Sequence, residues 1–292
     1  MTAQRGWRQR VPSFGERLQV VFATSGHLCL GIDPHAFLLD QWGLPDSPAG
    51  VREFGLRVVE AATGTVGIVK PQVAFFERHG SAGYAALEEV LVTARAAGLI
   101  VIADAKRGDI GSTVAAYGEA WLTPGSPLEA DAMTIAAYQG VGSIAEPLRL
   151  AREHGKGLFI LAATSNPESV ALQTAVLGRG PYDGSTVAAG IVGEVDQLNA
   201  DAPALGSVGV VLGATVDLLD YGIAPDRLSR TPILAPGFGE QGALVADTPK
   251  LFGANSGNVL VAVSRGVLRA GPAGLADALS ALALELAKAT ER

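Results

Sequence analysis

Four charged residues follow an apolar segment near the middle of the chain, where residues 102–110 read I-A-D-A-K-R-G-D-I. Side chains two residues apart on an extended strand point the same way, so we expect Asp104 and Lys106 to share one face. Clustered charges cost desolvation free energy unless they pair with one another or with a ligand. The simpler interpretation is a solvated strand end followed by a helix whose N-cap is Asp109.

Polar residues also end several other predicted strands. One polar side chain at a strand end is an ordinary cap, but a rim of alternating acids and bases is typical of a site. Such a cluster of lysines and aspartates suits proton transfer to or from carbon. Besides Asp104 and Lys106, the strand-end candidates are Asp33, Lys70, Thr164, Ser165, Gln241 and Arg265.

Eight apolar segments alternate with helical patterns, and no linker divides the chain. Parallel strands buried on both faces appear as continuous apolar runs, and eight of them in about 250 residues favour an α/β (β/α)8 TIM barrel over a doubly wound sheet. We expect one barrel domain over residues 1–292, with residues 1–12 as a disordered extension. The predicted strands are 28–32, 66–69, 99–103, 132–135, 158–162, 208–212, 231–235 and 259–263.

The composition restricts the function classes. The net charge of −7 argues against a nucleic-acid surface, and we find no apolar stretch long enough for a membrane span. The single cysteine, Cys29, excludes an intramolecular disulfide and fits a buried position in a protein of the reducing cytoplasm. The composition therefore predicts a cytoplasmic protein with neither nucleic-acid nor membrane partners.

The loops after the last two predicted strands have the features of a phosphate site. Gly237, Gly239 and Gly242 allow backbone N–H groups to approach an anion, and Arg265 adds a bidentate cation. The same glycines match G-x-G-x-x-G, but no acidic residue follows about 20 positions later, which makes the dinucleotide interpretation weak. No histidine pair has metal-ligand spacing. A Mg²⁺ ion on Asp33 and Asp104 stays an alternative that the two neighbouring lysines disfavour.

Taken together, these motifs resemble the orotidine 5′-phosphate decarboxylase family, in its longer bacterial, type 2 subgroup. The resemblance covers residues 14–285, and the D-x-K-R-x-D-I sequence is its most specific part. The motifs that carry it are Gly31-Ile32-Asp33, Lys70-Pro71-Gln72, Asp104-x-Lys106-Arg107-x-Asp109-Ile110, Pro236-Gly237-x-Gly239-x-Gln241-Gly242 and Ser264-Arg265-Gly266.

The resemblance implies a decarboxylation of orotidine 5′-phosphate to UMP, in pyrimidine biosynthesis, without metal or cofactor. It implies that Lys106 protonates C6 of the substrate beside Asp104, while Asp33 and Lys70 hold the ribose. It further implies a homodimer in which Asp109 and Thr113 reach the neighbouring site. The remaining residues implied to bind substrate are Ile110, Ser165, Gly239, Gln241, Ser264 and Arg265.

Three other functions remain open at this point. A related Mg²⁺-dependent barrel enzyme acting on phosphosugars would share D-x-K, a barrel without activity would still bind phosphorylated ligands, and a nicotinamide reductase would use G-x-G-x-x-G. Sensitivity to EDTA, ligand binding without turnover, and NAD(P)H binding distinguish these alternatives.

Overall fold

Eight parallel strands form a closed barrel in the computed structural model, which describes residues 11–290. Each strand pairs with the next one along the chain, and the last pairs with the first. This order confirms the (β/α)8 prediction. The strands are β1 (Leu28–Ile32), β2 (Ile68–Pro71), β3 (Ile100–Arg107), β4 (Ala132–Ile135), β5 (Gly157–Ala163), β6 (Val208–Leu212), β7 (Ile233–Ala235) and β8 (Val259–Val263).

Helices follow most of the strands and cover the outside of the barrel. Their bounds are α1 (Phe14–Ser25), α2 (Ala36–Gln41), α3 (Pro48–Ala62), α4 (Val73–Glu77), α5 (Gly80–Ala96), α6 (Gly111–Leu122), α7 (Ala145–His154), α8 (Val170–Gln173), α9 (Val187–Leu198), α10 (Thr248–Phe252), α11 (Arg265–Leu268) and α12 (Gly271–Thr290). None of the helices within residues 11–290 is long and apolar enough to cross a bilayer.

The first helix closes one end of the barrel. Ser13 caps α1 through a reciprocal pair of hydrogen bonds with Glu16, which fixes where the helix begins. Phe14 then packs edge-on against Phe159 inside the barrel, with ring centroids 5.9 Å apart. Gly157 at the start of β5 leaves room for this ring, because a Cβ there would lie 2.4 Å from Phe14. A ligand site is therefore left for the opposite end, where the strands finish.

The strand positions follow from burial on both faces. Cys29, Ile102 and Phe159 point into the barrel, whereas their neighbours in sequence pack against the outer helices. The predicted bounds of β1, β4, β6 and β8 are confirmed. The helical spacing of Leu275, Leu279, Leu282 and Leu286 predicts an apolar stripe on the final helix, and in the structure Leu275, Leu279 and Leu286 are buried and Leu282 is partly buried.

The bounds of four strands and one helix differ from the sequence prediction. Strand β5 extends one residue further at each end than predicted, and β7 begins two residues later. Strand β2 begins two residues later than predicted, and β3 continues to Arg107 instead of stopping at residue 103. The apolar spacing over 215–221 predicts a short helix, and this prediction is wrong, because the segment forms turns in which Asp217 accepts from the N–H of Leu219 at 2.9 Å. The predicted disorder of residues 1–12 falls almost entirely on residues outside the described range.

Candidate active site

Asp104 lies at the centre of a buried group of charges where β2, β3 and β4 end. One carboxylate oxygen, Oδ2, accepts from Lys70 Nζ at 2.8 Å and from Gln72 Nε2 at 2.9 Å. The other, Oδ1, accepts from Lys106 Nζ and from the Thr134 hydroxyl, the latter at 2.9 Å. The side chain is only 7% exposed. These four donors occupy the lone pairs of the carboxylate and leave it no free position for a metal ion.

Opposite charges keep this group ionised. Burial by itself lowers the pKa of the Lys70 ammonium, but the Asp104 and Asp33 carboxylates outweigh burial and hold that pKa above its usual value. Burial likewise favours a neutral Asp104, but Lys70 and Lys106 outweigh it and keep the pKa of Asp104 well below its usual range. Both lysines therefore face an anion that remains charged at neutral pH.

Lys106 has a strained backbone at a β-bulge. The register passes from Ala103 opposite Met133 to Arg107 opposite Ile135, so β3 advances four residues while β4 advances two. Within this bulge Lys106 has φ of 45°, a left-handed conformation that costs a lysine about 1–3 kcal/mol. The expected neighbours Asp104 and Lys106 do meet, but through the bulge and not through the regular alternation of a strand. The Lys106 side chain stays 46% exposed at the open end of the barrel.

The arginine that follows Lys106 anchors the end of the bulge to the outer helices. Arg107 donates to Glu77 at 2.9 Å, to the Tyr84 hydroxyl at 3.2 Å and back to the carbonyl of Ala105 at 2.9 Å. Its guanidinium also lies 5.8 Å from the centre of the Tyr117 ring. The arginine of the D-x-K-R motif therefore ties β3 to α4, α5 and α6.

Asp33 lies in the wall of a cavity beside Lys70 and has one unpaired carboxylate oxygen. The Ser264 hydroxyl donates to Asp33 Oδ2, whereas Asp33 Oδ1 is buried without a hydrogen-bond partner within residues 11–290. Gly31 makes room for this pair, because a Cβ there would lie 2.8 Å from the Cβ of Ser264. A ligand hydroxyl would satisfy Oδ1, since an unpaired buried acceptor is costly.

The loops after β7 and β8 line the far side of the same cavity. Gly237, Gln241 and Arg265 all belong to its wall. Gly237 and Gly239 have φ of 117° and 81°, backbone conformations that favour glycine. Arg265 is half-buried and forms no ion pair in the described part of the chain, which leaves its charge for an anion. Across the mouth, Ser165 donates to the side-chain oxygen of Gln241 at 3.1 Å.

Comparisons with known proteins agree with this geometry. A profile of the family described as orotidine 5′-phosphate decarboxylase / HUMPS matches residues 26–278. The chain belongs to this family. It is 52% identical to the orotidine 5′-phosphate decarboxylase of Streptomyces coelicolor and 50% identical to that of Salinispora tropica, in each case over 89% of this chain and 91% of the relative. A solved structure from Streptomyces avermitilis, assigned to the same activity, has a TM-score of 0.90 at 48% identity and covers 96% of this chain and 97% of its own.

Three residues that the resemblance assigns to the site, Asp109, Ile110 and Thr113, do not line this cavity. Asp109 accepts a hydrogen bond from the N–H of its neighbour Ile110 at 2.8 Å and is not among the partners of Asp104 or Lys106 within residues 11–290. Ile110 and Thr113 are exposed. Ile110, not Asp109, is the N-cap of α6 and makes no side-chain capping bond, so the simple capping interpretation of Asp109 is wrong. In the single chain none of the three contacts Asp104 or Lys106 through a hydrogen bond or ion pair within residues 11–290.

The sequence prediction missed two residues that contact Asp104. Thr134 and Gln72 both donate to Asp104, and no role was predicted for either. Gln72 had a signal, because it follows Lys70-Pro71 at the end of a strand and pairs there with Asp104 across the two strands. Thr134 gave only a weak signal, since one hydroxyl in an apolar strand is compatible with an ordinary core threonine. Among the described residues, no group of three or more His, Cys, Asp and Glu side chains has the arrangement of a metal site.

Proposed function

We propose that this chain converts orotidine 5′-phosphate to UMP and CO₂, with Lys106 as the proton donor. The observation that carries the mechanism is the pairing of Lys106 Nζ with buried Asp104 at the open end of the barrel. Relatives over 89% of the chain are orotidine 5′-phosphate decarboxylases, which supports this substrate over the phosphosugars of related barrels. The unpaired Asp33 Oδ1 and the free Arg265 beside Lys70 fit a ribose and a phosphate.

The reaction breaks the bond between C6 and the carboxylate carbon, and the electron pair of that bond stays on C6. Lys106 is a cation fixed beside the site of this developing negative charge, and such a preorganised charge stabilises the transition state. The ammonium then transfers one proton to C6, forming the C–H bond of UMP, and CO₂ departs. Lys106 regains its proton from solvent.

Asp104 would hold the Lys106 side chain in place before the reaction. Lys70 shares the same carboxylate, so its ammonium is fixed between Asp104 and the ribose side of the cavity. The phosphate would bind Arg265 far from the reacting atoms, and the free energy of this contact would be available to orient the substrate. Ser165 would bind the pyrimidine and Gln241 the phosphate, and the hydrogen bond between them crosses the mouth of the cavity.

We further propose that two copies pair so that Asp109 and Thr113 enter the neighbouring site. Thr113 is exposed and Asp109 is half-buried in the single chain, which supports this arrangement, as does the apolar surface near them. Ile110 is 59% exposed and Tyr138, which follows β4 at the same end of the barrel, is 80% exposed. Exposed apolar side chains of this kind are typical of an interface.

The test is a direct assay of the purified protein with orotidine 5′-phosphate in the presence of EDTA. Ultraviolet absorbance follows the conversion of the orotate ring to uracil. Turnover in EDTA would support the metal-free decarboxylase. Turnover only after Mg²⁺ is restored would contradict it in favour of a metal-dependent barrel enzyme, and UMP binding without turnover would indicate a binding protein.

A further inference from the structure

The hydroxyl of Thr134 joins the two residues that carry the proposed chemistry. It accepts a hydrogen bond from the backbone N–H of Lys106 at 2.9 Å and donates one to Asp104 Oδ1 at 2.9 Å. Thr134 is buried, with 1% of its surface exposed. A hydroxyl has one proton to donate, so the bond to Asp104 uses it completely.

Both bonds are made inside the bulge of β3. Arg107 is the residue where regular pairing with β4 resumes, and its carbonyl accepts from the N–H of Ala136 at 2.7 Å. The N–H of Lys106 has the Thr134 side chain as its partner in place of a strand carbonyl. The threonine therefore satisfies a backbone donor in the strained segment that carries the proton donor.

We propose that Thr134 is a positioning residue for the decarboxylation, holding the Lys106 backbone and the Asp104 carboxylate in one arrangement. This inference rests on the proposed function of Lys106. A lysine keeps a left-handed backbone conformation only where surrounding contacts hold it there. The Thr134 hydroxyl supplies one such contact, by accepting the hydrogen bond from the Lys106 N–H. Loss of the hydroxyl would let Lys106 relax and its ammonium move away from C6. A displacement of about 1 Å of a reacting group lowers the rate by about 100-fold.

The experiment compares Thr134→Val, which keeps the shape of the side chain, with Thr134→Ser, which keeps the hydroxyl. The matched control is Thr231→Val, because Thr231 is fully buried two residues before β7 begins, at the opposite end of the barrel. For each variant, kcat and KM are measured with orotidine 5′-phosphate, the Kd of UMP by calorimetry, and Tm by circular dichroism.

We expect Thr134→Val to lower kcat by about 10- to 100-fold, with KM and the Kd of UMP within about threefold of the wild type. Thr134→Ser should have a kcat within about threefold of the wild type, and Thr231→Val should have a lower Tm but an unchanged kcat. A purely structural role for Thr134 would lower Tm in both valine variants and leave kcat unchanged in both.

Three outcomes distinguish the inference from its premise. Near-normal kcat in Thr134→Val, or an equal loss in Thr134→Val and Thr134→Ser, would overturn the positioning role while the decarboxylase assignment stands. A wild-type protein without turnover would overturn the proposed function itself. If Thr134→Val does not fold, the pair Thr134→Ala and Thr134→Ser, which differ only in the hydroxyl, is assayed at low temperature under the same criterion.

Discussion

Ser264 and Asp33 join the last strand of the barrel to the first through a hydrogen bond from the serine hydroxyl to Asp33 Oδ2. This bond orients the carboxylate so that Oδ1 remains buried and unpaired. The strands β1 and β8 close the barrel by backbone pairing, and this side-chain bond, made just beyond their ends, fixes the orientation of a ligand acceptor.

We expect Ser264→Ala to raise KM for orotidine 5′-phosphate by about tenfold with little change in kcat, because an unanchored Asp33 loses its fixed orientation toward the ribose. A tenfold change corresponds to about 1.4 kcal/mol, close to the lower end of the range of about 1.5–3 kcal/mol for one hydrogen bond to a charged group. Steady-state kinetics measure both constants. Ser280→Ala on the exposed face of α12 is the control, and an unchanged KM in Ser264→Ala would contradict the role given to the pair.

Lys106→Ala should remove turnover and leave ligand binding. The missing ammonium is both the cation beside C6 and the proton donor, so we expect kcat to fall by at least about 10³-fold. The Kd of UMP should change little, because Arg265 and Asp33 remain. Lys288→Ala, on the exposed end of α12, is the control for loss of a lysine. Near-normal kcat in Lys106→Ala would contradict the proton-donor role.

Much of the fold could be predicted from the sequence, because residues buried on both faces of a strand give continuous apolar runs. Asp33, Lys70, Asp104 and Lys106 were also predictable, since strand ends in this architecture meet on one rim. The bulge that brings Lys106 to Asp104 was not predictable. It depends on how β3 aligns with β4, and pairing between strands leaves no signal in the residues of one strand.

Local turn chemistry explains the remaining differences. The segment 215–221 has apolar residues at helical spacing, but Asp217 bonds to the backbone two residues later and favours a turn. Residues that act on a neighbouring copy, as proposed for Asp109 and Thr113, have no recognisable partner in their own chain. Their role came from the family resemblance and not from spacing.

Lys156 and Glu129 should make stability depend on pH at the closed end of the barrel. Lys156 Nζ lies 2.7 Å from Glu129, and both side chains are largely buried. Burial favours a neutral Glu129, but hydrogen bonds from Lys156 and the N–H of Gly125 outweigh it and lower the pKa of the carboxyl. Arg95, 2.9 Å from the same carboxylate, adds to this effect.

The pKa of Glu129 is lower in the folded state than in the unfolded state. Its contribution to the free energy of unfolding is therefore complete above pH 4.5, the ordinary glutamate pKa, and is lost as the pH falls through the lowered pKa of the folded state. We expect Lys156→Met to reduce the free energy of unfolding by about 2 kcal/mol at neutral pH, less than for an unpaired buried charge because Arg95 remains. The loss should shrink in acid. Urea unfolding at several pH values measures this, with Lys288→Met as control, and a loss that is constant with pH would contradict it.

Cys29 should be inert in the folded protein. It is completely buried inside the barrel, and burial raises the pKa of its thiol to about 12, although the nearby Lys70 opposes the rise. The thiolate is the reactive form of cysteine, and the raised pKa keeps Cys29 as a thiol at neutral pH. Burial also prevents a reagent from reaching it. We expect no reaction with a disulfide reagent under native conditions and one reacting thiol per chain in guanidinium chloride. Rapid labelling of the native protein would contradict the burial.

The shared site can be tested by mixing two inactive proteins. A pair formed from Lys106→Ala and Asp109→Ala chains contains one site with both Lys106 and the Asp109 of the other chain intact, and another site that lacks both. We therefore expect mixing to restore part of the wild-type turnover after subunit exchange. The control mixes Lys106→Ala with the double variant Lys106→Ala/Asp109→Ala, which cannot form an intact site. Exchange demonstrated by labelled subunits, without recovery of turnover, would show that Asp109 does not act in the neighbouring site.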